Sequence, residues 1–304
     1  MEVLSPEEPV SVVARQVLCD RWSALRSCLS VAVVGLGDDL RAVHQLRIAA
    51  RRLTAAAQLL ANEILSAGAA DLHGGLQRLY RATGRARDLD MLIQRWMGSC
   101  AEPANPSAAA ILQRLHSWRA TAQEPIRQCE RELSGAWLER CQTGLLEAAY
   151  FRTRRPGQRE PAFVRAAPAL FLRPVRRFLR TWHADLETPA ALHAVRAAGR
   201  RVRYAMEILA PAFDNRFRNN LGRRLRELLD LLGAIQDHTV AGSLGRQLRD
   251  TARSRGERQC LDQWLEREAQ GLIESRHCFS QWWTPRQTGR LRRGLMQYAL
   301  APIG

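Results

Sequence analysis

The chain has 304 residues with 46 basic and 30 acidic side chains, which gives a formal net charge of +16 at pH 7. All 46 basic residues are arginine, so phosphate-loop NTPase and Schiff-base chemistry, which both need a lysine, are excluded. A GC-rich genome would by itself replace lysine with arginine, but it would not create a surplus of positive charge. The surplus predicts an anionic partner, because guanidinium groups bind phosphate oxygens in a two-pronged manner and stay charged.

The remaining composition predicts a cytoplasmic protein. The seven cysteines are odd in number and scattered, without a C-x-x-C pair, which is typical of a reduced protein rather than of a disulfide framework or a zinc site. The first ten residues carry neither the basic nor the apolar segment of a secretory signal. No apolar run approaches the ~18 residues of a membrane span.

Helical periodicity dominates the whole chain, and strand-like alternation is scarce. In chain order, the first set of helices is predicted at 8–34, 39–65, 68–98 and 107–150. A matching second set is predicted at 161–186, 189–212, 214–251 and 254–284, followed by a short helix at 286–300. We expect Pro125 to kink or divide the fourth helix and Pro174 the fifth, since proline lacks the amide N–H of a helix interior.

The segment 152–161, RTRRPGQREP, is the best candidate for a linker because it is polar, contains two prolines and lacks apolar periodicity. It separates a first half, residues 1–151, from a second half, residues 162–304. Four helices in each half suggest two four-helix units. The sequence therefore predicts an all-α fold of two similar bundles.

The strongest pattern is a motif that occurs twice, at Val43–Leu60 and at Leu192–Leu209, 149 residues apart. The matched pairs are His44 with His193, Arg47 with Arg196, Arg51 with Arg200, and Arg52 with Arg201. The same offset also relates Asp39 to Thr188, Gly84 to Gly233, and Asp88 to Asp237. Asp39 and Thr188 both suit a helix N-cap. One constant offset over this length predicts an internal duplication.

The motif places its charges beside the core of the helix. At about 100° per residue, His44, Arg47 and Arg51 fall within a ~60° arc next to the apolar seam. Charges that only face solvent would lie opposite that seam. We therefore expect each stripe to line a groove between neighbouring helices.

A second motif follows in each half, GRARDLD from Gly84 and GAIQDHT from Gly233. Asp88 and Asp237 have no other carboxylate at metal-ligand spacing, so we expect them to orient arginines rather than to hold a metal or catalyse a reaction. Neither forms a triad with the histidines, because no Ser or Cys recurs beside them. A further basic face is predicted on the third helix, at Arg78, Arg81 and Arg85.

The paired motifs resemble the CHAD family, the conserved histidine α-helical domain. The resemblance rests on His-x-x-Arg-x-x-x-Arg-Arg and Gly-x-x-(Arg/Gln)-Asp in both halves, and it covers nearly the whole chain. It implies two four-helix bundles related by a pseudo-twofold axis, with a basic central cleft that binds inorganic polyphosphate and association with polyphosphate granules. Many members carry an additional CYTH triphosphatase domain, whose E-x-E-x-K motif is absent here, so that activity does not carry over.

The resemblance and the repeat together define the expected polyphosphate-binding residues. These are His44, Arg47, Arg51, Arg52, Arg78, Arg81, Arg85, His193, Arg196, Arg200, Arg201, Arg203 and Tyr204. Thr54 stands where the second half has Arg203, so the first stripe is expected to be weaker at that end. A histidine beside a helix seam is usually structural, and for His44 and His193 this reading competes with contact to phosphate.

Three functional classes are compatible with these observations. The first is non-enzymatic binding of polyphosphate, without a cofactor or metal. The second is non-specific nucleic-acid binding, which fits the net charge but lacks a recognisable motif. The third is a phosphoryl-transfer enzyme, which would need clustered carboxylates or a nucleophile that the sequence does not show. The sequence leaves the oligomeric state open.

Overall fold

The structure, a computed structural model, describes residues 5–34, 40–61, 64–65, 69–99, 105–133, 135–146, 150–151, 159–183 and 185–301. The helices of the first half are α1 (Val10–Val34), α2 (Ala42–Leu60), α3 (Ala69–Ala82), α4 (Gly84–Ser99), α5 (Pro106–Thr121), α6 (Glu124–Leu133) and α7 (Ala136–Leu146). Those of the second half are α8 (Phe163–Arg180), α9 (Pro189–Leu209), α10 (Gly222–Asp250), α11 (Arg255–Trp282) and α12 (Pro285–Ala299). The fold is nearly all helical, as the sequence predicts.

A short antiparallel pair of strands is the exception. The strands β1 (Ile64–Leu65) and β2 (Tyr150–Phe151) pair with Ile64 opposite Phe151. The predicted helices 39–65 and 107–150 are therefore wrong at their C-terminal ends. β-Branched and aromatic residues favour extended backbone, which explains why these two segments leave the helices.

The first half is more divided than the sequence predicts. The helix expected at 68–98 is interrupted at Thr83, which separates α3 from α4. The helix expected at 107–150 breaks once just before Pro125, as predicted, and again at Gly135, whose φ of 58° suits glycine.

The second half follows its predicted helices closely. The caps explain the starts, since Thr188 accepts a hydrogen bond from the Ala191 amide at 3.2 Å and Pro189 occupies the first turn. Asp39, the predicted counterpart of this cap, lies outside the described residues. Pro174 lies inside α8 without dividing it, so a kink is the part of that expectation that stays a prediction. Short 3₁₀ segments follow α8 and α9 at 181–183 and 210–212, and a π-helical turn at 217–221 precedes α10.

The proposed linker lies mostly outside the described residues, which omit 152–158. At its end, the Val10 amide donates to the Pro161 carbonyl at 3.2 Å, and the Phe163 amide donates to the Glu8 carbonyl at 2.8 Å. The beginnings of the two halves are therefore hydrogen-bonded to each other. The division into 1–151 and 162–304 stays a prediction.

Packing between the halves follows the 149-residue offset. Under that offset α1 corresponds to α8, α2 to α9, α4 to α10 and α5 to α11. Each of these four helices packs against its own counterpart. A twofold axis between two similar halves would give this pattern, because elements near such an axis meet their own copies. The duplication itself stays a prediction.

Both hydrophobic clusters contain residues from both halves. The larger cluster joins α1, α2, α3, α6 and α7 to α8, α9, α12 and the N-terminal part of α10. The smaller one joins α4 and α5 to α11 and the C-terminal part of α10, with Trp96 and Trp264 at 5.7 Å between ring centroids. Within the part of the chain that the structure describes, no helix is long and apolar enough to cross a membrane.

Candidate anion-binding site

The two arginine stripes lie close together, on α2 and α9. Burial lowers the pKa of Arg196 and Arg200, and the Arg51 guanidinium of the other half lowers both further. For Arg200, with Arg196 also beside it, the pKa falls to about 10. The packing of α2 on α9 therefore brings like charges from the two halves together.

Arg47 is anchored by the break between α3 and α4. Its Nη1 donates to the Tyr80 carbonyl and to Thr83 Oγ1, both at 2.9 Å, and its guanidinium lies 5.5 Å from the centroid of the Tyr80 ring. The Tyr80 carbonyl is one of the last of α3 and has no further turn of helix to bond. The interruption at Thr83, which the sequence did not predict, is what provides these acceptors.

Arg196, the counterpart of Arg47, has a different environment. The helix α10 continues through Gly233, so no terminal carbonyls are offered there. The Arg196 guanidinium instead lies across Gly233, and a Cβ at that glycine would be 3.7 Å from Nη2. Burial lowers the pKa of Arg196, and the neighbouring Asp237 opposes that change.

The two motif histidines are not equivalent. His44 is partly buried, and its Nδ1 has no hydrogen-bond partner within the described part of the chain. Burial lowers its pKa, as do Arg87 and Arg51, whereas Asp237 of the other half raises it. His193 is exposed, and its Nδ1 lies 3.1 Å from Gln236 Oε1.

Asp88 lies among arginines, as expected for an orienting carboxylate. Burial raises its pKa, and Arg47, Arg85 and Arg87 oppose that rise. Arg47 directs its described hydrogen bonds to Tyr80 and Thr83, so Asp88 acts on it through charge. Asp237 raises the pKa of Arg196 in the same way.

Arg87 belongs to this group and was missed by the sequence analysis. It is partly buried, and burial lowers its pKa while Asp90 and Asp237 raise it. Arg51 lies close enough to lower it further. The available signal was its place directly before Asp88 in the second motif, where the other half has Gln236.

Arg203 extends the second stripe. Its guanidinium lies 5.0 Å from the centroid of the buried Tyr204 ring, and its buried Nε has no hydrogen-bond partner among the described residues. It lowers the pKa of Arg196 and Arg200 through like charge. Arg203 thus belongs to the same electrostatic group, and Tyr204 supports it from the core side.

Several predicted site residues lie elsewhere. Arg52 forms an ion pair with Glu207, with 3.1 Å between Nε and Oε2. Arg201 lines a separate cavity on α8 and α9. The arginines of α3 and α4 that the sequence predicts for the site are exposed. Arg78 lies near Cys129 and Cys141, and Arg85 lies 5.7 Å from the centroid of the Trp118 ring, whereas Arg81 has no described contact with the stripes.

We call the residues that do come together the central arginine group. Its members are Arg47, Arg51, Arg87, Arg196, Arg200 and Arg203, with His44 beside them. Asp88 and Asp237 are the carboxylates that act on several of its members. Six guanidinium groups outnumber the three carboxylates that act on them, Asp88, Asp90 and Asp237, which leaves a positive potential in a partly desolvated place. Within the described residues, no three His, Cys, Asp or Glu side chains form a group that could hold a metal ion.

Fold and site together define a nearly all-helical protein that gathers partly buried arginines where α2 packs against α9. The chain belongs to the CHAD domain family, whose pattern matches residues 16–246.

Solved structures share the fold at low sequence identity. The crystal structure of the CHAD domain from the plant Ricinus communis superposes with a TM-score of 0.65 at 19% identity, covering 96% of this chain and 93% of that one. PptA from Streptomyces chartreusis superposes with a TM-score of 0.62 at 17% identity, covering 91% of this chain and 99% of that one. No curated protein matches the sequence.

Proposed function

We propose that this protein binds inorganic polyphosphate along the central arginine group. The observation that carries the proposal is the approach of Arg51 in one half to Arg196 and Arg200 in the other. Like charges held together in a partly buried place repel one another, and a polyanion between them would relieve that repulsion. Membership of the CHAD family supports the same ligand.

A linear polyanion suits this arrangement better than a single phosphate ion does. The group extends along α2 and α9 through residues three or four positions apart, which places successive guanidinium groups on one face of each helix. A chain with regularly repeated charges can contact both rows at once. The buried and unpartnered Nε atoms of Arg47 and Arg203 lie in these rows.

Binding without turnover is the second part of the proposal. Asp88 and Asp237 neighbour guanidinium groups, a position that suits orientation of arginine side chains. We propose that the same binding brings the protein to polyphosphate granules, so that no separate targeting segment is needed. Nucleic acid is the competing anionic ligand for the same positive potential.

The test replaces four members of the group by glutamine, Arg51, Arg87, Arg196 and Arg200. Arg47 is left in place because its hydrogen bonds also join α2 to α3. A charge-assisted contact contributes about 1.5–3 kcal/mol, so we expect polyphosphate affinity to fall at least 100-fold. Titration at several salt concentrations should also give a shallower salt dependence, because fewer condensed counterions are released.

The matched control removes the same charge from exposed arginines outside the group, Arg165, Arg218, Arg258 and Arg286. Circular dichroism should show that both quadruple variants keep their helices. Equal loss of affinity in the two variants would mean that binding is diffuse and that the proposal is wrong. Displacement of polyphosphate by equimolar duplex DNA would favour the nucleic-acid alternative.

A further inference from the structure

One ion-paired cluster lies at the end of the α9 stripe. Glu207 Oε2 lies 3.1 Å from Arg52 Nε and 3.6 Å from Arg21 Nη2, and Arg52 Nη2 also donates to Glu207 Oε1 at 3.4 Å. A carboxylate of the second half thus pairs with two arginines of the first half. Burial lowers the pKa of Arg21, whereas Glu207 raises it.

The counterpart of this cluster under the 149-residue offset lacks the carboxylate. Arg52 corresponds to Arg201, Glu207 to Gln58, and Arg21 to Leu170. All three counterparts, Arg201, Gln58 and Leu170, line one cavity of about 330 Å³ between α2, α8 and α9. An amide cannot supply the negative charge that Glu207 supplies in the other cluster.

Two more arginines, Arg173 and Arg177, line the same cavity from successive turns of α8. They and Arg201 are exposed, and none of the three has an ion-pair partner among the described residues. No acidic side chain of the described part of the chain lines the cavity. Among the residues that the structure describes, the cavity therefore presents three positive charges without an acidic partner.

The rest of the lining is mainly apolar. Leu59, Leu170, Ala198 and Ala205 are buried side chains that form its floor, and Pro174 contributes a further apolar wall. A fully hydrated phosphate chain would leave this floor without a partner. A ligand with an apolar substituent would cover it and gain from the area removed from water.

We propose that this cavity binds a small anionic amphiphile of the alkyl phosphate class. The phosphate lies between Arg173, Arg177 and Arg201, and the alkyl chain lies against the floor. The site is distinct from the central arginine group, because Arg201 is about 140° around α9 from Arg196. The inference does not depend on polyphosphate binding.

The first experiment measures hexyl phosphate binding to the full chain by calorimetry. We expect one site per chain, with an affinity at least tenfold higher than that of inorganic phosphate or of hexanol, because each of these probes offers only half of the contacts. Binding of inorganic phosphate as tightly as hexyl phosphate would overturn the amphiphile assignment. So would binding only to vesicles containing an anionic lipid, without binding of hexyl phosphate.

The decisive variant restores the missing carboxylate with Gln58→Glu, a substitution of nearly equal shape. The introduced carboxylate should form ion pairs with the arginines of the cavity, as Glu207 does in the other cluster. Affinity for hexyl phosphate should therefore fall at least tenfold. The control is Gln247→Glu, which adds the same charge on the exposed face of α10. Equal affinities in the two variants would overturn the proposal.

A triple variant separates this cavity from the central arginine group. Replacing Arg173, Arg177 and Arg201 by glutamine should abolish hexyl phosphate binding, while the control triple Arg165, Arg218 and Arg258 should retain it. Polyphosphate affinity should differ less than threefold between the two triples. A much larger loss in the cavity triple would mean that these arginines belong to the polyphosphate path, which would overturn a separate site.

Discussion

Arg47 and Arg196 occupy equivalent positions in the repeated motif, yet they have different neighbours. Arg47 donates to a main-chain carbonyl and a threonine hydroxyl at the end of α3. Arg196 lies over Gly233 on a continuous helix. We infer that Arg47 is largely a structural residue that joins α2 to α3, whereas Arg196 is available to a ligand.

His44 gives a prediction about pH. In the free protein its pKa lies below the usual 6.5, because of burial first and then of Arg87, Arg51 and Arg47, with Asp237 acting in the opposite direction. A bound polyanion would raise that pKa, so binding takes up a proton. Affinity should therefore rise as the pH falls through the pKa of the complex, and level off below the pKa of the free protein. Titrations between pH 7.5 and 5.5 should show this rise, and His44→Gln should flatten it.

The control for this prediction is His116→Gln, since His116 is exposed on α5. Without ligand, the effect of acidification on folding stability should be opposite to its effect on affinity, because protonation of His44 destabilises the folded chain. The unfolded chain binds the proton of His44 more tightly than the folded chain, so this residue destabilises the fold as the pH falls below about 6.5. His44→Gln should therefore reduce the loss of melting temperature on acidification. An unchanged affinity slope, together with altered melting, would assign His44 a structural role only.

At the scale of elements, the contact of α10 with α11 depends on a missing side chain. A Cβ at Gly245 would lie 2.5 Å from Trp264 Cζ3 and 2.9 Å from Leu265 Cδ2. The counterpart of Gly245 in the first half is Trp96, which itself packs against Trp264 with the two ring planes tilted by 48°. Gly245 on α10 and Trp96 on α4 therefore both lie against the indole ring of Trp264 on α11, and the missing side chain at Gly245 lets α10 come close to that ring.

Gly245→Ala should therefore destabilise the protein. Overpacking costs about 1–3 kcal/mol, which outweighs the roughly 1 kcal/mol that alanine gains over glycine in helix propensity. Urea unfolding should show a lower midpoint for this variant. Gly98→Ala is the control, because a Cβ there would meet nothing within 4 Å, and it should be neutral or slightly stabilising. A Gly245→Ala protein as stable as the control would contradict the close helix contact.

The sequence predicts the helices well where caps and breakers are local. Thr188, Ser254 and Thr284 each accept a hydrogen bond at a helix start, and the break before Pro125 follows from its missing amide N–H. The break at Thr83 and the pairing of β1 with β2 depend on contacts far along the chain. Periodicity within a short window carries no information about such contacts.

The sequence predicts only part of the candidate site, because local patterns place some of its residues and contacts far along the chain place the others. Arg47, Arg51, Arg196, Arg200 and Arg203 do come together, because a fixed repeat on two packed helices places them alike. Arg52 and Arg201 share the motif but lie well around each helix from the stripe, where other helices decide their partners. Arg87 lies on α4 and joins the group through the contacts of α4 with α2 and α10, which the spacing of the His-Arg-Arg motif does not reveal.

At the scale of the whole molecule, the halves share their cores. Trp22 and Trp137 lie in the larger hydrophobic cluster, Trp96 and Trp264 lie in the smaller one, and each cluster draws residues from both halves. Neither half can therefore lose its packing while the other keeps it. We expect a single unfolding transition for the chain rather than two.

The measurement follows urea unfolding by far-ultraviolet circular dichroism and by tryptophan fluorescence. The two midpoints should coincide. Leu261→Ala creates a cavity in the smaller cluster and should lower the free energy of unfolding by about 2–5 kcal/mol. Both midpoints should therefore move together to a lower urea concentration. Two separated transitions, with only one affected by this substitution, would show that the halves are independent folding units.

The self-pairing of α1, α2, α4 and α5 with their own counterparts bears on how such a chain arises. A polypeptide of half this length would leave apolar residues such as Val43, Leu92 and Ile111 uncovered, and a second identical copy would cover them through the same four helix contacts. This pattern of contacts is the one that a symmetric dimer of two half-length chains would have if its copies were joined by gene fusion. Two identical chains must carry the same residue at equivalent positions, whereas the two halves of one chain need not. Gln58 and its counterpart Glu207 are such a difference, which a dimer of identical chains could not have.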